Sequence, residues 1–425
     1  MRHVTGPAKW LHLGRALFKA VRHPLPIGFE MLFLKHLSQE KLTLLDGRTY
    51  IKGNYPTLES RAFGYAAEGL SRIGRGEQRL LTITICPTMR CPMKCSYCSG
   101  RNFPPGPELG TARLRRLVTE AQDLGAFAVD FSGGEPLLRT DLPEIVSAVD
   151  DRSLSLLFTS GLRFPPAARA LRQAGLEHVV ISLDTFDEAE YNRRRGSKQA
   201  LAIALEAARA SVREGFYTMF EMTADEAILR PGAFEAFLRE AGRLGVHEVR
   251  TLAPRACVAL GGSRSRGFSP AQARALRRHQ MHYNRMADLP SVTSIDYIES
   301  ADNQGCFGGT GFCHVTAEGD VAPCPFHPIS FGNIADRPLA EVYRTMRRYI
   351  PWPPATCPIV EIFDLIGERP EGPWPVRDAE TIERVYERYN RKAQPIPEFW
   401  RRLGIRRSSA AAGQGVVAPM PVKES

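Results

Sequence analysis

Residues 91–98 read Cys91-Pro92-Met93-Lys94-Cys95-Ser96-Tyr97-Cys98, and the reading of the whole chain turns on them. Thiolates separated by three and then two residues can surround one corner of a cubane iron-sulfur cluster, which normally takes four. A trio leaves one iron open, and an open coordination position separates a metal centre that does chemistry from one that only staples a fold. A structural zinc site is the alternative for three cysteines plus a remote fourth. Zinc knuckles favour paired C-x2-C spacings, however, and the nearest other cysteine, Cys86, lies on the preceding apolar run.

A second stretch, Phe131-Ser132-Gly133-Gly134-Glu135-Pro136, carries two glycines at the end of an apolar strand. Glycines let the backbone approach a ligand closely there, and the proline ends strand pairing so that polar groups face outward. Together the two stretches resemble the signature of the radical SAM superfamily: CxxxCxxC with an aromatic, here Tyr97, before the last cysteine, and a GGEP segment downstream. The resemblance implies a [4Fe-4S] cluster on Cys91, Cys95 and Cys98 whose open iron is chelated by the amino and carboxylate groups of S-adenosylmethionine. It assigns Gly133, Gly134, Glu135 and Pro136 to binding the substrate's amino group. A low-potential electron donor such as a flavodoxin or ferredoxin is the implied partner.

The chain has 425 residues, 43% apolar and 24% charged, which reads as globular with room for one large or two moderate domains. Nine cysteines in a chain this size suggest reduced thiols and metal, hence a cytoplasmic location. The net charge of +10 implies an anionic partner. The positive charge is not interleaved with aromatic stacking residues, which argues against nucleic acid. Residues 1–45 hold seven Lys/Arg against two acids. From Lys9 to Arg22, Trp10, Leu13, Leu17, Ala20 and Val21 fall at helical spacing, with Lys9, His12, Arg15, Lys19 and Arg22 opposite. A mostly apolar segment, 29–34, follows. Such a pair fits either the face of an anionic membrane, with the protein peripheral on its inner side, or packing on the protein's own core. No apolar run reaches the roughly 18 residues needed to span a bilayer.

From residue 79 strands and helices alternate, with strands expected at 79–85, 127–131, 154–159, 179–183, 217–223 and 248–252. Polar motif residues gather at the strand C-terminal ends, where a parallel sheet binds ligands. This α/β layout matches the partial (β/α)6 barrel of the radical SAM family. Thr159-Ser160-Gly161 resembles that family's TNG-like end of the third strand, with Ser160 in place of Asn. Ser182 and Asp184 resemble the fourth-strand segment that contacts the cofactor's ribose or methionine portion. Glu221 points toward the same mouth by strand alternation. For each, a plain capping or hydrogen-bonding role is the alternative. Arg193, Arg194 and Arg195 suit an anion or a solvated helix face.

Cys306, Gly319 and Cys324 match the opening C-x(9-15)-G-x4-C element of the SPASM and twitch extensions, around an expected hairpin turning at Glu318-Gly319-Asp320. Of the closely spaced cysteines that a full SPASM pattern adds, only Cys357 follows. The resemblance therefore implies one auxiliary iron-sulfur cluster, on Cys306, Cys324, Cys357 and Cys313, with Cys313 equally readable as a buried thiol. His314 and His327 are replacement-ligand candidates, and Cys86 and Cys257 are assigned to packing. The expected division is a basic helical extension (1–78), the barrel (79–255), a linker and helical segment (256–304), a small α+β twitch/SPASM-like region (305–365), a C-terminal helical segment (366–407) and a disordered tail (408–425). The implied activity is reductive cleavage of S-adenosylmethionine and hydrogen abstraction from a peptide, lipid or small metabolite. The competing class is a non-catalytic zinc, iron-sulfur or nucleic-acid-binding protein.

Overall fold

The computed structural model describes residues 2–20, 34–103, 106–262, 268–367, 374–392 and 395–405. The apolar segment expected after the first helix and the tail from Ser408 lie outside these residues, apart from Leu34. So does the Ser263–Gly267 part of the linker.

A three-stranded antiparallel sheet opens the chain, built from β1 (Arg2–Val4), β2 (Leu42–Leu45) and β3 (Arg48–Tyr50). The β2–β3 turn falls at Asp46-Gly47, both with positive φ, 49° and 75°, as a primed two-residue turn requires. The extension is thus not merely helical; β1 is only three residues long and leaves little alternation to read. Helix Ala8–Ala20 packs through Leu13, which joins Val4, Leu37, Leu42, Ile51, Leu58 and Phe63 in one core. Its faces differ from the expected ones. Lys9 is buried, its ammonium donating to the carbonyls of Leu37, Ser38 and Glu40, while Trp10 and Leu11 are exposed. Three carbonyl acceptors compensate the desolvation of a cation that periodicity alone assigns to solvent. Among the described residues no helix is long and apolar enough to cross a membrane.

The main sheet runs through β4 (Thr82–Thr88), β5 (Ala128–Gly133), β6 (Leu154–Thr159), β7 (His178–Ser182), β8 (Tyr217–Thr223) and β9 (Glu248–Leu252), all parallel and paired in that order. These are the expected barrel strands. The sheet is wider than expected, because β10 (Ser291–Ser294) adds in parallel beside β9 and β11 (Phe312–Val315) in parallel beside β4. The expected hairpin exists as β11 and β12 (Val321–Ala322), but it is part of the barrel sheet rather than a separate layer. Phe312, Cys313, His314 and Val315 pair with Thr82 to Ile85, so their burial is that of an interior strand. Covering helices bury regular stripes, such as Leu114, Leu117, Val118 and Ala121 in Thr111–Asp123.

The barrel's lower end is plugged. Tyr50 stacks on Tyr217 at 4.4 Å, and the Gly53 amide donates to Glu248 Oε2 at 2.7 Å while its carbonyl accepts from His178 Nδ1. Helix Glu398–Leu403 completes the plug with Phe399, Trp400 and Leu403, and Trp400 Nε1 donates to the Gln304 carbonyl at 2.7 Å. Ligands are left the opposite, C-terminal edge. Trp400→Ala should cost ~3–5 kcal/mol of unfolding free energy in a urea titration, the usual range for a buried tryptophan; a loss under ~1 kcal/mol would mean that this helix seals nothing.

Candidate active site

The cysteine loop leaves the C-terminal end of β4 and is bound by its backbone to the end of β5. The Gly134 amide donates to the Thr88 carbonyl at 2.9 Å and the Glu135 amide to the Arg90 carbonyl at 2.8 Å. A Cβ on Gly134 would lie 2.3 Å from the Arg90 carbonyl oxygen, and one on Gly133, at φ 118°, 2.6 Å from that of Thr88. The two glycines therefore clear space for the cysteine loop, whereas the sequence suggested space for a ligand.

Glu135 is buried and fully engaged by the end of β6. Its carboxylate accepts from Thr159 Oγ1 at 2.7 Å, the Ser160 amide at 2.8 Å and Ser160 Oγ at 2.5 Å. Burial raises its pKa and these donors oppose the rise. Ser160 and Glu135 thus hold each other, and Pro136 begins a short helical turn that Glu135 caps.

Arg195 is the functional residue that sequence reasoning left least defined. The helix Glu188–Arg195 follows β7, and its last residues clasp the cysteine loop: the Lys94 amide donates to the Arg195 carbonyl at 2.9 Å and the Ser96 amide to that of Arg194 at 3.1 Å. Arg195 is buried, donates from Nη1 to Cys95 Sγ at 3.6 Å and lies over the rings of Tyr97 and Tyr191. Its Nε is buried without a partner among the described residues. Asp184 sits 3.6 Å from Arg195 Nη2, accepts from the Tyr97 hydroxyl and takes the Thr223 amide at 2.9 Å. Ser182 offers its carbonyl to the Tyr191 hydroxyl. Arg193 and Arg194 pair with Glu190, and Arg194 also with Asp225, so two members of the arginine run are structural.

Inside the mouth, Glu221 on β8 faces Arg250 on β9 at 3.3 Å, as strand alternation requires. Arg250 is 8% exposed and lies over the Phe158 ring, and its Nε and Nη1 have no hydrogen-bond partner among the described residues. Asp130 on β5 is pushed up to about 7, chiefly by burial, with Arg250 opposing and Glu221 adding to the shift.

A second thiol group forms beyond the barrel. A Cβ on Gly308 would lie 3.5 Å from Cys306 Sγ and 3.7 Å from Cys324 Cβ, and Cys324 and Cys357 pack on one small apolar group with Ile359 and Phe363. Cys313 stands apart from these three: it is fully buried on β11, within the main barrel core. His314, also on β11, contacts Cys86 Sγ at 3.5 Å, which makes both packing residues. His327 lines the cavity beside Cys306 and Cys324, but both its nitrogens are engaged, Nδ1 accepting from the Ile329 amide and Nε2 meeting the Tyr386 hydroxyl at 2.9 Å. Cys257 packs under the cysteine loop, its thiol 3.9 Å from the Tyr97 carbonyl. Asn102 ties the two thiol groups together: its Oδ1 accepts from the Val258 amide and its Nδ2 donates to the Phe326 carbonyl, each at 2.8 Å. A lone asparagine in a loop carries no signal that would have marked it in the sequence.

Residues 85–233 match the radical SAM superfamily and residues 306–355 an iron-sulfur cluster-binding domain of the SPASM type. Over 372 residues, covering 78% of this chain and 97% of the relative, the protein is 31% identical to the PqqA peptide cyclase of Xanthomonas axonopodis pv. citri. The chain belongs to the radical SAM superfamily. A PqqA peptide cyclase of Gluconobacter oxydans is 32% identical over 64% of this chain and 79% of its own length. Among solved structures, Streptococcus suis SuiB superposes with a TM-score of 0.54 at 16% identity, covering 74% of this chain and 82% of SuiB, a likeness of fold.

Membership brings a [4Fe-4S] cluster that binds S-adenosylmethionine, and the SPASM-type region brings auxiliary iron-sulfur. The chemistry of the site fits: thiols alone at the trio, a buried guanidinium at Cys95 with one donor unspent, and no room for any residue but glycine behind the loop. Gly134→Ala should reduce iron bound at this loop by most of a cluster's worth in anaerobic iron analysis, with far-UV circular dichroism unchanged; full iron retention would contradict the packing argument. For Asp130, the folded pKa lies above the unfolded one, so its contribution to stability is present at low pH and lost as pH rises from about 3.8 to about 7. Asp130→Asn should flatten urea-derived stability across that interval; an unchanged slope would contradict the assignment.

Proposed function

We propose that the protein is a peptide-modifying radical enzyme that abstracts hydrogen from an unactivated C–H bond of a peptide side chain, with Cys91, Cys95 and Cys98 holding the catalytic cluster. The observation that carries this reading is the clamped cysteine loop at the barrel's open edge, fixed by Gly134 and Glu135 on one side and Arg194 and Arg195 on the other. The peptide substrate is favoured over lipid or metabolite by relatives named for a peptide substrate and matched over nearly their whole length.

When bound, the cluster and S-adenosylmethionine supply a reductive carbon-sulfur cleavage that yields methionine and a 5'-deoxyadenosyl radical. The chain's own residues do the rest. Arg195 places a buried positive charge beside Cys95 and offers its Nε to an anionic group of the cofactor. Asp184 keeps Arg195 and Tyr97 in place, and Glu135 fixes Ser160 at the rim. Asp130, Glu221 and Arg250 form a charged group on β5, β8 and β9, and its proposed role is to orient a substrate side chain away from water. Arg90 and Lys94 are exposed beside Cys91 and suit an acidic, low-potential electron donor of flavodoxin or ferredoxin type. One auxiliary cluster sits on Cys306, Cys324 and Cys357, and Cys313 is not among its ligands.

The test is anaerobic reconstitution followed by dithionite, S-adenosylmethionine and a synthetic PqqA peptide. Deoxyadenosine release together with loss of a hydrogen pair from the peptide, read by mass spectrometry, is the expected result. Deoxyadenosine without peptide change would sink the substrate assignment, and neither product would sink the enzyme. Cys91→Ala, Cys95→Ala and Cys98→Ala should each abolish deoxyadenosine release and lower bound iron by about four per chain.

A further inference from the structure

Two of the three guanidinium nitrogens of Arg250, Nε and Nη1, have no hydrogen-bond partner among the described residues, although the side chain is nine-tenths buried. Glu221 meets only Nη2, at 3.3 Å, and is itself half-buried. Native proteins satisfy nearly all buried donors, and a charged group left without its hydrogen bonds is among the most destabilising exceptions. Donors held unused in this way are explained by a ligand that arrives to satisfy them.

The position of the pair says where that ligand lies. The guanidinium is 5.4 Å from the centre of the Phe158 ring on β6. Two strands, β7 and β8, stand between β6 and β9 in the sheet, so this contact crosses the interior of the barrel. Glu221 pairs in register with Ser182 on β7, two residues before Asp184, which accepts from the Tyr97 hydroxyl of the cysteine loop. Thr223, two residues beyond Glu221, donates its amide to the same Asp184 at 2.9 Å. Arg250 and Glu221 are therefore about 7 Å, one strand repeat, beneath the residues that hold the cysteine loop.

The chemistry of the pair limits what fits. A carboxylate would satisfy Arg250 but would also face Glu221. Negative charge is already disfavoured in this interior, where Asp130 on β5 has its pKa pushed up to about 7, chiefly by burial. An apolar side chain would satisfy neither partner. An amide suits both, because its carbonyl oxygen accepts from a guanidinium, its N–H donates to a carboxylate, and no net charge is buried with it.

We propose that Arg250 and Glu221 bind an amide group of the substrate, Arg250 donating to its carbonyl oxygen and Glu221 accepting from its N–H. The pair thereby sets which residue of the peptide lies beneath the cysteine loop, and it is a determinant of specificity. This deepens the peptide reading given under Proposed function and rests on it.

The test uses the reconstituted holoenzyme and the PqqA peptide, with KM read from peptide modification by mass spectrometry. Arg250→Met should raise the peptide KM about ten- to a hundredfold, as expected for a lost hydrogen bond to a charged group, with iron per chain unchanged. Arg250→Lys, which keeps a charge beside Glu221 but removes Nε, should raise it in the same direction. Arg250→Gln together with Glu221→Gln keeps a donor and an acceptor without charge, and should return KM to within about threefold of the unmodified enzyme. Peptides with one N-methylated backbone amide, or with one Asn or Gln changed to Ala, separate a backbone amide from a side-chain one. One such change should raise KM about tenfold with the unmodified enzyme and have no effect with Arg250→Met. The same coupling to a carboxylate or hydroxyl side chain of the peptide would overturn the amide assignment. An unchanged KM in both Arg250→Met and Arg250→Lys would leave Arg250 an interior ion pair and overturn this inference alone. A peptide left unaltered by the unmodified enzyme would overturn the peptide reading and this inference with it.

Discussion

The account rests on a pair of backbone hydrogen bonds, Gly134 to Thr88 and Glu135 to Arg90, made possible because Gly133 and Gly134 carry no side chain. They fix the loop bearing Cys91, Cys95 and Cys98 to the end of the neighbouring strand. A thiolate trio is useful only if it is held open without the fourth ligand that would normally organise it, so the protein must supply that rigidity itself. Arg194 and Arg195 supply the opposing grip through their carbonyls. The clamp is therefore peptide backbone on both sides, insensitive to the protonation of any side chain.

The electrostatics around the clamp follow from burial. Each thiolate brings negative charge, and Arg195 is the cation placed within hydrogen-bonding reach of one of them. Its own desolvation is offset by Asp184 and by the faces of Tyr97 and Tyr191. A comparable unit recurs at the auxiliary thiols, where Arg255 is compensated by Asp296 and Glu299. Asn102 spans the two regions by hydrogen bonds to Val258 and Phe326, which fixes their separation.

Much of this was legible in the sequence, for reasons that can be named. The strands at 154–159, 217–223 and 248–252 appear with the expected limits because each is a short apolar or alternating run between clear turn residues. The cysteine and GGEP-type stretches carry their spacing on their face. Long-range pairing was not legible: nothing local tells that Phe312–Val315 lies beside β4, which is why Cys313 could be read as a ligand. Lys9 misled for a related reason, since the carbonyls that satisfy it lie about thirty residues away.

The most direct test of the central claim is the electron paramagnetic resonance spectrum of the dithionite-reduced protein, bearing only the Cys91, Cys95 and Cys98 cluster, before and after addition of S-adenosylmethionine. If the clamped loop holds an iron with an open position, the cofactor binds there and the spectrum shifts. An unchanged spectrum at saturating cofactor would mean that the corner is closed, and the account would fail.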